Sequence, residues 1–345
     1  MANRLKLGLM TGYWGAGPPA NAIEAIAAAD ELGWDSIWTA EAYGSDALTP
    51  LAWWGSQTKN VHLGTAIMQM AARTPTAAAM AAISMDHLSG GRFRLGLGAS
   101  GPQVVEGWYG QPYPRPLERT REYIDIVRQV LDRSGPVTLD GKHYQLPLEG
   151  GAGLGKALKP TVHPLRNDLP IYLAAEGPKN VALAAEIADG WLPFWFGPKS
   201  NDFYTEALQA GFDKGGRHDF STFDIACPVP IVPHPDVEAA ANVIRPMLAL
   251  YVGGMGAKGA NFHFEVLARL GYESQCHDIQ RLYLDGRKDE AIASIPLRMV
   301  EDVALVGPED KIKEELPRWA DTLITTLLVS GDAALVRKVD EWVNG

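Results

Sequence analysis

The sequence predicts an α/β fold: a (β/α)8 barrel formed by one domain over residues 1–345, with an insertion between the seventh and eighth βα units. Short apolar runs typical of buried strands alternate with runs that have the spacing of amphipathic helices, and this alternation indicates a parallel sheet. Eight such units occupy about the length that a barrel of this kind needs.

The predicted strands and helices follow one another in a regular order. The first four strand and helix pairs are 6–10 with 20–32, 35–40 with 49–58, 61–68 with 76–88, and 92–98 with 117–133. A hairpin around Asp140 and Gly141 interrupts the series, because Asp-Gly between alternating residues is a strong turn signal. The remaining pairs are 171–175 with 181–188, 191–196 with 203–212, 223–232 with 237–251, and 325–330 with 333–343.

The insertion covers residues 253–315, which begin rich in glycine and then have a helical pattern. A long insertion between two barrel units is a candidate lid over the site or a dimer surface.

Composition limits the classes of function. The net charge is −10 and no run of basic residues occurs, which argues against a nucleic-acid surface or an anionic membrane surface. Cys227 and Cys276 lie far apart, which favours packing roles in a reducing compartment over a disulfide. The N-terminal apolar run is too short for a signal peptide or a membrane span, so we expect a cytoplasmic protein.

The barrel fold predicts where the active site lies, because catalytic residues of such barrels follow the carboxyl ends of the strands. The residues predicted there are small or aromatic, and few are charged. This mixture suits an extended flat ring better than a sugar or a pair of metals. The eight histidines show no metal-binding spacing, so we expect no metal site.

The stretch IYLAAEGPKNVALAAEIADGW, residues 171–191, has the pattern of strand, turn and helix. Pro178 suits the first helical turn, and Gly177 allows another group to approach the backbone closely. Such a turn either simply connects the two elements or binds an anion at the positive end of the helix dipole.

Several motifs, found in order along nearly the whole chain, resemble those of the luciferase-like flavin and deazaflavin oxidoreductases. They are LGTAIMQMAARTP (63–75), DHLSGGRFRLGLGASGPQVVEGW (86–108), PLERTREYIDIVRQVL (116–131), YLAAEGPKNVALAAEIADGWLP (172–193), and GAKGANFHFEVLARLGY with IQRLYLDGR in the insertion. The segment SGPQVVEGW and the insertion motifs are similar to the branch that uses the 8-hydroxy-5-deazaflavin coenzyme F420.

The resemblance implies which residues bind the cofactor. It implies a cis peptide between Ala66 and Ile67 behind the cofactor ring, with Gln69 just beyond. It also implies ring or chain contacts from the segment after the fourth strand, and a phosphate-binding turn after the fifth. These two sets are Ala99, Ser100, Gly101 and Gln103, and Ala175, Glu176, Gly177, Pro178 and Lys179. The acidic tail of the coenzyme would need further cations, such as Lys156, Lys159 or Arg166.

Glu41 is the carboxylate predicted at the end of the second strand, and relatives often carry an acid there followed by a histidine that shares in proton exchange. Ala42 replaces that histidine here, which leaves Glu41, with Tyr43 or Tyr13, as the catalytic candidate. Desolvation favours the protonated form of a buried carboxyl, so Glu41 is expected to exchange a proton near neutral pH. The alternative is a structural ion pair at the barrel rim.

Three functions follow from these observations. The first is hydride transfer between a small organic substrate and coenzyme F420. The second is an FMN-dependent monooxygenase supplied by a separate flavin reductase, and the third is a flavin-binding barrel without catalysis. Because barrels of this superfamily often pair, the resemblance also implies a homodimer.

Overall fold

The structure is a computed structural model, which describes residues 5–256, 259 and 261–345. Its strands are β1 Lys6–Gly12, β2 Ser36–Thr39, β3 His62–Thr65, β4 Met68–Gln69, β5 Phe93–Gly98, β6 Leu139–Asp140, β7 Gln145–Leu146, β8 Ile171–Ala174, β9 Gly190–Leu192, β10 Asp224–Pro228, β11 Ile231–Pro233, β12 Leu305–Gly307 and β13 Thr326–Val329.

The α-helices are α1 Ala22–Glu31, α2 Leu48–Gly55, α3 Pro75–Ser89, α4 Pro102–Gly107, α5 Pro116–Asp132, α6 Pro178–Ile187, α7 Asn201–Gly215, α8 Val237–Gly253, α9 Phe262–Leu267, α10 Glu273–Leu284, α11 Lys288–Ala293, α12 Leu297–Glu301, α13 Glu309–Ala320 and α14 Ala333–Asn344. Short 3₁₀ helices cover Met70–Ala72 and Pro198–Ser200, and a π-helical turn at Ala268–Tyr272 joins α9 to α10.

Parallel strands close into a barrel in the order β1, β2, β3, β5, β8, β9, β10 and β13, and β13 pairs with β1. The short strand β4 follows β3 after a break at Ala66 and Ile67 and pairs with β5. This closed eight-stranded arrangement confirms the predicted (β/α)8 fold. The predicted hairpin is confirmed as well, as the antiparallel pair of β6 and β7.

Local sequence signals explain where several helices begin and end. The hydroxyl of Thr74 accepts a hydrogen bond from a backbone N–H of α3, and Pro75 occupies the first helical turn. Asp236 and Asp332 cap α8 and α14 in the same way. Gly90 ends α3 in the left-handed conformation, which glycine adopts without a steric penalty.

The barrel interior packs around Trp38 and Tyr172, whose rings meet edge to face with centroids 5.2 Å apart. Gly64 allows this packing, because a Cβ there would lie 2.2 Å from the Trp38 ring. A larger core between the strands and the outer helices surrounds this inner cluster. The walls of the barrel are therefore fixed from both sides.

Charged groups fill the barrel end at which the strands begin. Arg94 contacts Asp35 at 2.6 Å, and Lys6 contacts Asp224 at 2.7 Å. Burial by itself raises the pKa of Asp224, but the Lys6 ammonium and its hydrogen bonds outweigh this and lower that pKa to about 2. Because this network lies opposite the carboxyl ends of the strands, we interpret it as structural.

The insertion begins earlier than the sequence predicted. Helix α8 was expected to pack on the barrel as the seventh helix, but it lies in a second core with α10, α11 and α12. Helix α13 takes the barrel position instead, since Ile312, Leu316 and Trp319 belong to the main core. The inserted part therefore covers about residues 229–308, from the end of β10 to the start of α13.

The change has a physical cause at the end of β10. Pro228 and Pro230 have no N–H to donate, and the barrel ladder ends between them, where the Val229 N–H donates to the Leu328 carbonyl at 3.0 Å. Strand β11 then leaves the barrel and pairs with β12 in a separate two-stranded sheet. Ala257, Lys258 and Ala260 of the predicted glycine-rich start of the insertion lie outside the described residues.

Candidate active site

A cavity of about 1200 Å³ opens at the carboxyl ends of the barrel strands, between the barrel and the insertion. Its floor consists of small residues at the strand ends, including Ala40, Ala66, Gly98 and Ala174. A volume of this size accommodates a cofactor together with a small substrate.

The structure brings nearly all of the predicted site residues to this cavity. The residues that line it are Glu41, Tyr43, Ala66, Ile67, Gln69, Ala99, Ser100, Gly101, Gln103, Ala175, Glu176 and Gly177. Pro178 and Lys179 do not line it, because they are exposed on the first turn of α6. Asn180, one residue further along that helix, takes a place in the lining instead.

The predicted cis peptide between Ala66 and Ile67 is confirmed. Ala66 donates its N–H to the Thr39 carbonyl at 2.7 Å, and the Ile67 carbonyl accepts from the Glu41 N–H at 3.1 Å. Gly98 lies against Ile67, since a Cβ there would be 2.9 Å from its side chain. The strand ends thus form a continuous floor that offers mostly backbone and methyl groups.

Glu41 lies in the floor with its side chain almost fully buried. Its two oxygens accept hydrogen bonds from Arg73 at 2.9 and 3.0 Å, and one also accepts from the Ala47 N–H at 3.1 Å. The Tyr109 hydroxyl donates to it at 3.4 Å, and burial together with the Glu41 charge raises the pKa of Tyr109 to about 12. These are the partners of an ionised carboxylate, so the geometry favours the ion-pair interpretation over a proton donor.

Tyr43 lies at the rim of the cavity with about half of its surface exposed. Across the cavity, the hydroxyls of Tyr13 and Tyr251 approach to 3.4 Å. Burial raises the pKa of Tyr251 well above the ordinary range for a phenol, so its hydroxyl stays protonated.

Four residues that line the cavity hold buried polar atoms without a hydrogen-bond partner among the described residues. They are Oε1 of Gln69, Oε2 of Glu176, Nε1 of Trp195 and Nδ1 of His263. Gln69 is fixed by its amide nitrogen, which donates to the carbonyls of Glu41 and Ala42. Because unpaired buried groups are costly, this set indicates a ligand that supplies both donors and acceptors.

Two residues of the cavity lining have an unusual backbone conformation. Ser100 has φ of 57° and Trp195 has φ of 53°, values that residues with a side chain seldom adopt. Such conformations are common at binding sites, where the surrounding structure holds them in place. The Ser100 carbonyl accepts from the Tyr113 hydroxyl at 3.0 Å, which fixes the loop after the fourth barrel strand.

The sequence did not reveal the side of the cavity that the insertion supplies. Tyr251, Phe262 and His263 line it from the insertion, facing Phe194 and Trp195 from the loop after β9. Nδ1 of His263 lies 2.7 Å from Oε1 of Glu176. The motif NFHF belongs to the family resemblance, but nothing in the sequence predicts which barrel loop it contacts.

The expected cations for an acidic tail do not meet the cavity. Arg166 binds Asp86 at 2.7 Å and Lys159 donates to the Ser134 carbonyl, both at the barrel end where strands begin. The prediction for these two residues is wrong, and Lys156 does not line the cavity either. Arg269 of the insertion is closer to the phosphate-binding turn, because it donates to the Glu176 carbonyl at 3.1 Å.

Comparison with known proteins identifies the family. The profile described as luciferase-like monooxygenase matches residues 5–326. The chain belongs to the luciferase-like monooxygenase family. Within the part of the chain that is described, no helix is long and apolar enough to cross a membrane.

Comparison with individual proteins shows which relatives this chain is similar to. The chain is 55% identical over 333 residues to a Mycobacterium tuberculosis protein provisionally named a coenzyme F420-dependent oxidoreductase, covering 96% of each. It is 30% identical to 5,10-methylenetetrahydromethanopterin reductase of Archaeoglobus fulgidus, covering 87% of this chain and 86% of that one. The fold matches coenzyme F420-dependent tetrahydromethanopterin reductase of Methanopyrus kandleri with a TM-score of 0.79, at 22% identity and 97% coverage of both chains.

Proposed function

We propose that this protein is an oxidoreductase that transfers a hydride between a small organic substrate and the deazaflavin coenzyme F420. The names of its relatives in Mycobacterium tuberculosis and Archaeoglobus fulgidus support the oxidoreductase class, and the former also names the coenzyme.

The observation that carries the proposal is the cavity floor with its unpaired polar atoms. A flat deazaflavin ring needs a floor without large side chains, which Ala66, Gly98 and Ala174 supply. The edge of its pyrimidine ring carries both donors and acceptors, which suits the free oxygen of Gln69 and the free N–H of Trp195. The residues of the cavity therefore fit this group.

When bound, the deazaflavin supplies or accepts the hydride at C5, and the protein positions the reacting groups. Gln69, held by two backbone carbonyls, would orient the ring edge. The start of α6 after Gly177 would face the phosphate, since helix N-termini favour anions and a Cβ at Gly177 would meet no atom within 4 Å. Lys179 lies on the exposed side of this turn and adds one positive charge.

Glu41 then has a positioning role rather than the proton role that the sequence predicted. Its ion pair with Arg73 fixes the loop after the second barrel strand, and its backbone carbonyl orients Gln69. Tyr43 is a candidate for contact with the substrate at the rim.

Mixing the purified protein with each cofactor tests the proposal. We expect the protein to quench the fluorescence of F420 and to bind FMN much more weakly. Retention of FMN with oxygen consumption would instead support a flavin monooxygenase. Tight F420 binding with no redox reaction toward any ketone, imine or alcohol would support a binding protein without catalysis.

We further propose that the protein works as a homodimer in the cytoplasm. Cys227 and Cys276 are buried free thiols, as expected in a reducing compartment. Light scattering after size-exclusion chromatography measures the assembly, and a mass near 37.4 kDa would contradict the dimer.

A further inference from the structure

We propose that His263 and Glu176 form the proton-exchanging pair of this site, acting on the C=O or C=N group of an uncharged or cationic substrate with an apolar body. This inference rests on the proposed hydride transfer. It assigns the proton step to a histidine of the insertion.

The pair lies where two rigid parts of the molecule meet. Glu176 follows barrel strand β8, and its backbone carbonyl accepts hydrogen bonds from Arg269 at 3.1 Å and Tyr204 at 3.4 Å. His263 belongs to α9, whose start is fixed by Asn261 through bonds to the carbonyls of Tyr251 and Val252. Both side chains line the cavity and both residues are at least nine-tenths buried.

Aromatic rings hold the imidazole in place. The Tyr251 ring meets it edge to face with centroids 4.8 Å apart, and the Phe194 ring does so at 5.7 Å. Nδ1 lies 2.7 Å from Oε1 of Glu176, although the ring is not oriented to form a well-directed hydrogen bond to that oxygen in this structure. A rotation of the imidazole that directs Nδ1–H at Glu176 leaves Nε2 as the nitrogen that exchanges protons, in the way a carboxylate fixes the tautomer of a catalytic histidine.

The pair is also incompletely bonded. Oε2 of Glu176 and Nδ1 of His263 lack a well-directed hydrogen bond, and Nε2 has no partner among the described residues. An ion pair between two fully satisfied groups would only join the insertion to the barrel. Both residues instead line the cavity, and catalytic hydrogen bonds often become well aligned only when the ligand is bound.

No other described group of the lining suits this task. Glu41 is saturated by Arg73, the Ala47 N–H and the Tyr109 hydroxyl. Among the described lining residues His263 is the sole histidine, and none of them is Lys or Arg. The walls around the pair are aromatic, so they favour a substrate with an apolar body and disfavour an anionic one.

In the direction of substrate reduction, the carbon of a C=O or C=N bond gains the hydride with its two electrons. The π electrons move onto the oxygen or nitrogen, which takes a proton from Nε2 of His263. Glu176 stabilises the imidazolium before this transfer, and the neutral imidazole is protonated again from solvent. Substrate oxidation follows the same steps in reverse.

Phenol hydroxyls and one guanidinium are the other polar groups that surround this pair. Tyr13, Tyr43 and Tyr251 face it from the barrel rim and α8. Burial raises the pKa of Tyr204 to about 12 although Arg269 lowers it, and burial raises that of Tyr251 further. The hydroxyls of Tyr204 and Tyr251 therefore stay protonated near neutral pH.

The first test needs no cofactor. In ¹⁵N NMR of histidine-labelled protein, we expect Nδ1 of His263 to carry a proton at neutral pH and Nε2 to be the exchanging nitrogen. Glu176→Gln should populate the other tautomer. A bare Nδ1 in the wild type, with the proton on Nε2, would overturn the assignment.

The second test follows oxidation of reduced F420 by a set of neutral ketones and cyclic imines. His263→Ala should bind F420 within about threefold of wild type, while hydride transfer falls roughly 10²- to 10⁴-fold and its pH profile loses one limb. Added imidazole should restore part of the rate, which a merely structural role does not predict. His218→Ala is the matched control, because His218 pairs with Asp189 at 3.1 Å at the opposite barrel end.

The outcomes separate the two proposals. If F420 does not bind the wild type, the proposed function fails whatever the NMR result. If F420 binds and no neutral ketone or imine reacts, the substrate class is wrong. If His263→Ala transfers hydride at the wild-type rate, or loses it without rescue by imidazole, the pair does not exchange the proton.

Discussion

The substitution Glu41→Gln separates a positioning role of this residue from a proton-transfer role. Glutamine keeps the shape of the side chain, but its amide N–H₂ faces the donor Arg73 and the buried ion pair is lost. Removing one partner of a buried pair costs about 3 to 5 kcal/mol. Because the Arg73 side chain is 22% exposed and has Asp46 at 3.9 Å, we expect a loss of about 2 to 3 kcal/mol.

This loss is measurable as a change in thermal stability. Unfolding entropy is about 2.1 cal/mol/K per residue, so for a chain of 345 residues 2 to 3 kcal/mol corresponds to a decrease in Tm of roughly 3–4 °C. Differential scanning calorimetry gives the shift, and hydride transfer is followed on the same sample. We expect turnover to stay within about tenfold of wild type, since the proton path does not include Glu41.

A double variant provides the control. Glu41→Gln combined with Arg73→Met removes both charges, so part of the stability should return. A Glu41→Gln protein with the wild-type Tm and a turnover at least 100-fold lower would refute this reasoning. Glu41 would then be the proton donor that the sequence predicted.

Three further predictions concern the barrel end, the floor and the phosphate-binding turn. Asp224→Asn should lower the unfolding free energy by about 2 kcal/mol at pH 7, because the folded pKa of about 2 lies below the ordinary aspartate value of 3.8. This stability is present above pH 4 and is lost as pH falls through 2, so urea denaturation should show the two proteins converging there. Gly98→Ala pushes Ile67 into the cavity and should weaken F420 binding roughly tenfold, or about 1.4 kcal/mol, whereas Gly135→Ala, with open space at its Cβ and outside the cavity lining, should not; fluorescence titration compares them. Lys179→Ala should weaken F420 binding by about 1 kcal/mol at low salt and by less at high salt, since the side chain is exposed; equal affinity at low salt would remove it from the site.

The sequence predicted the features that depend on local patterns. Alternating strand and helix signals predicted the barrel, and the resemblance of the motif LGTAIM to the family predicted the cis peptide between Ala66 and Ile67. Placement of the strand ends gave most of the cavity lining. These properties depend on periodicity and on short motifs, which one chain carries in full.

The sequence did not predict side-chain contacts between distant segments of the chain. Nothing near Glu41 indicates that Arg73 neutralises it, and nothing near Glu176 indicates that His263 meets it. The prediction that α8 is the seventh barrel helix was wrong for a related reason. Both α8 and α13 carry an amphipathic pattern, and only packing decides which of them lies on the barrel. Such choices depend on tertiary contacts between distant segments.

Transfer of deuterium from C5 of reduced F420 tests the central claim most directly. The wild-type protein is incubated with reduced F420 that carries two deuterium atoms at C5 and with the set of neutral ketones and cyclic imines, and the products are analysed by mass spectrometry. We predict that the product gains one deuterium on the former C=O or C=N carbon. Deuterium lost to solvent, or an oxygenated product formed with consumption of O₂, would contradict hydride transfer by this protein.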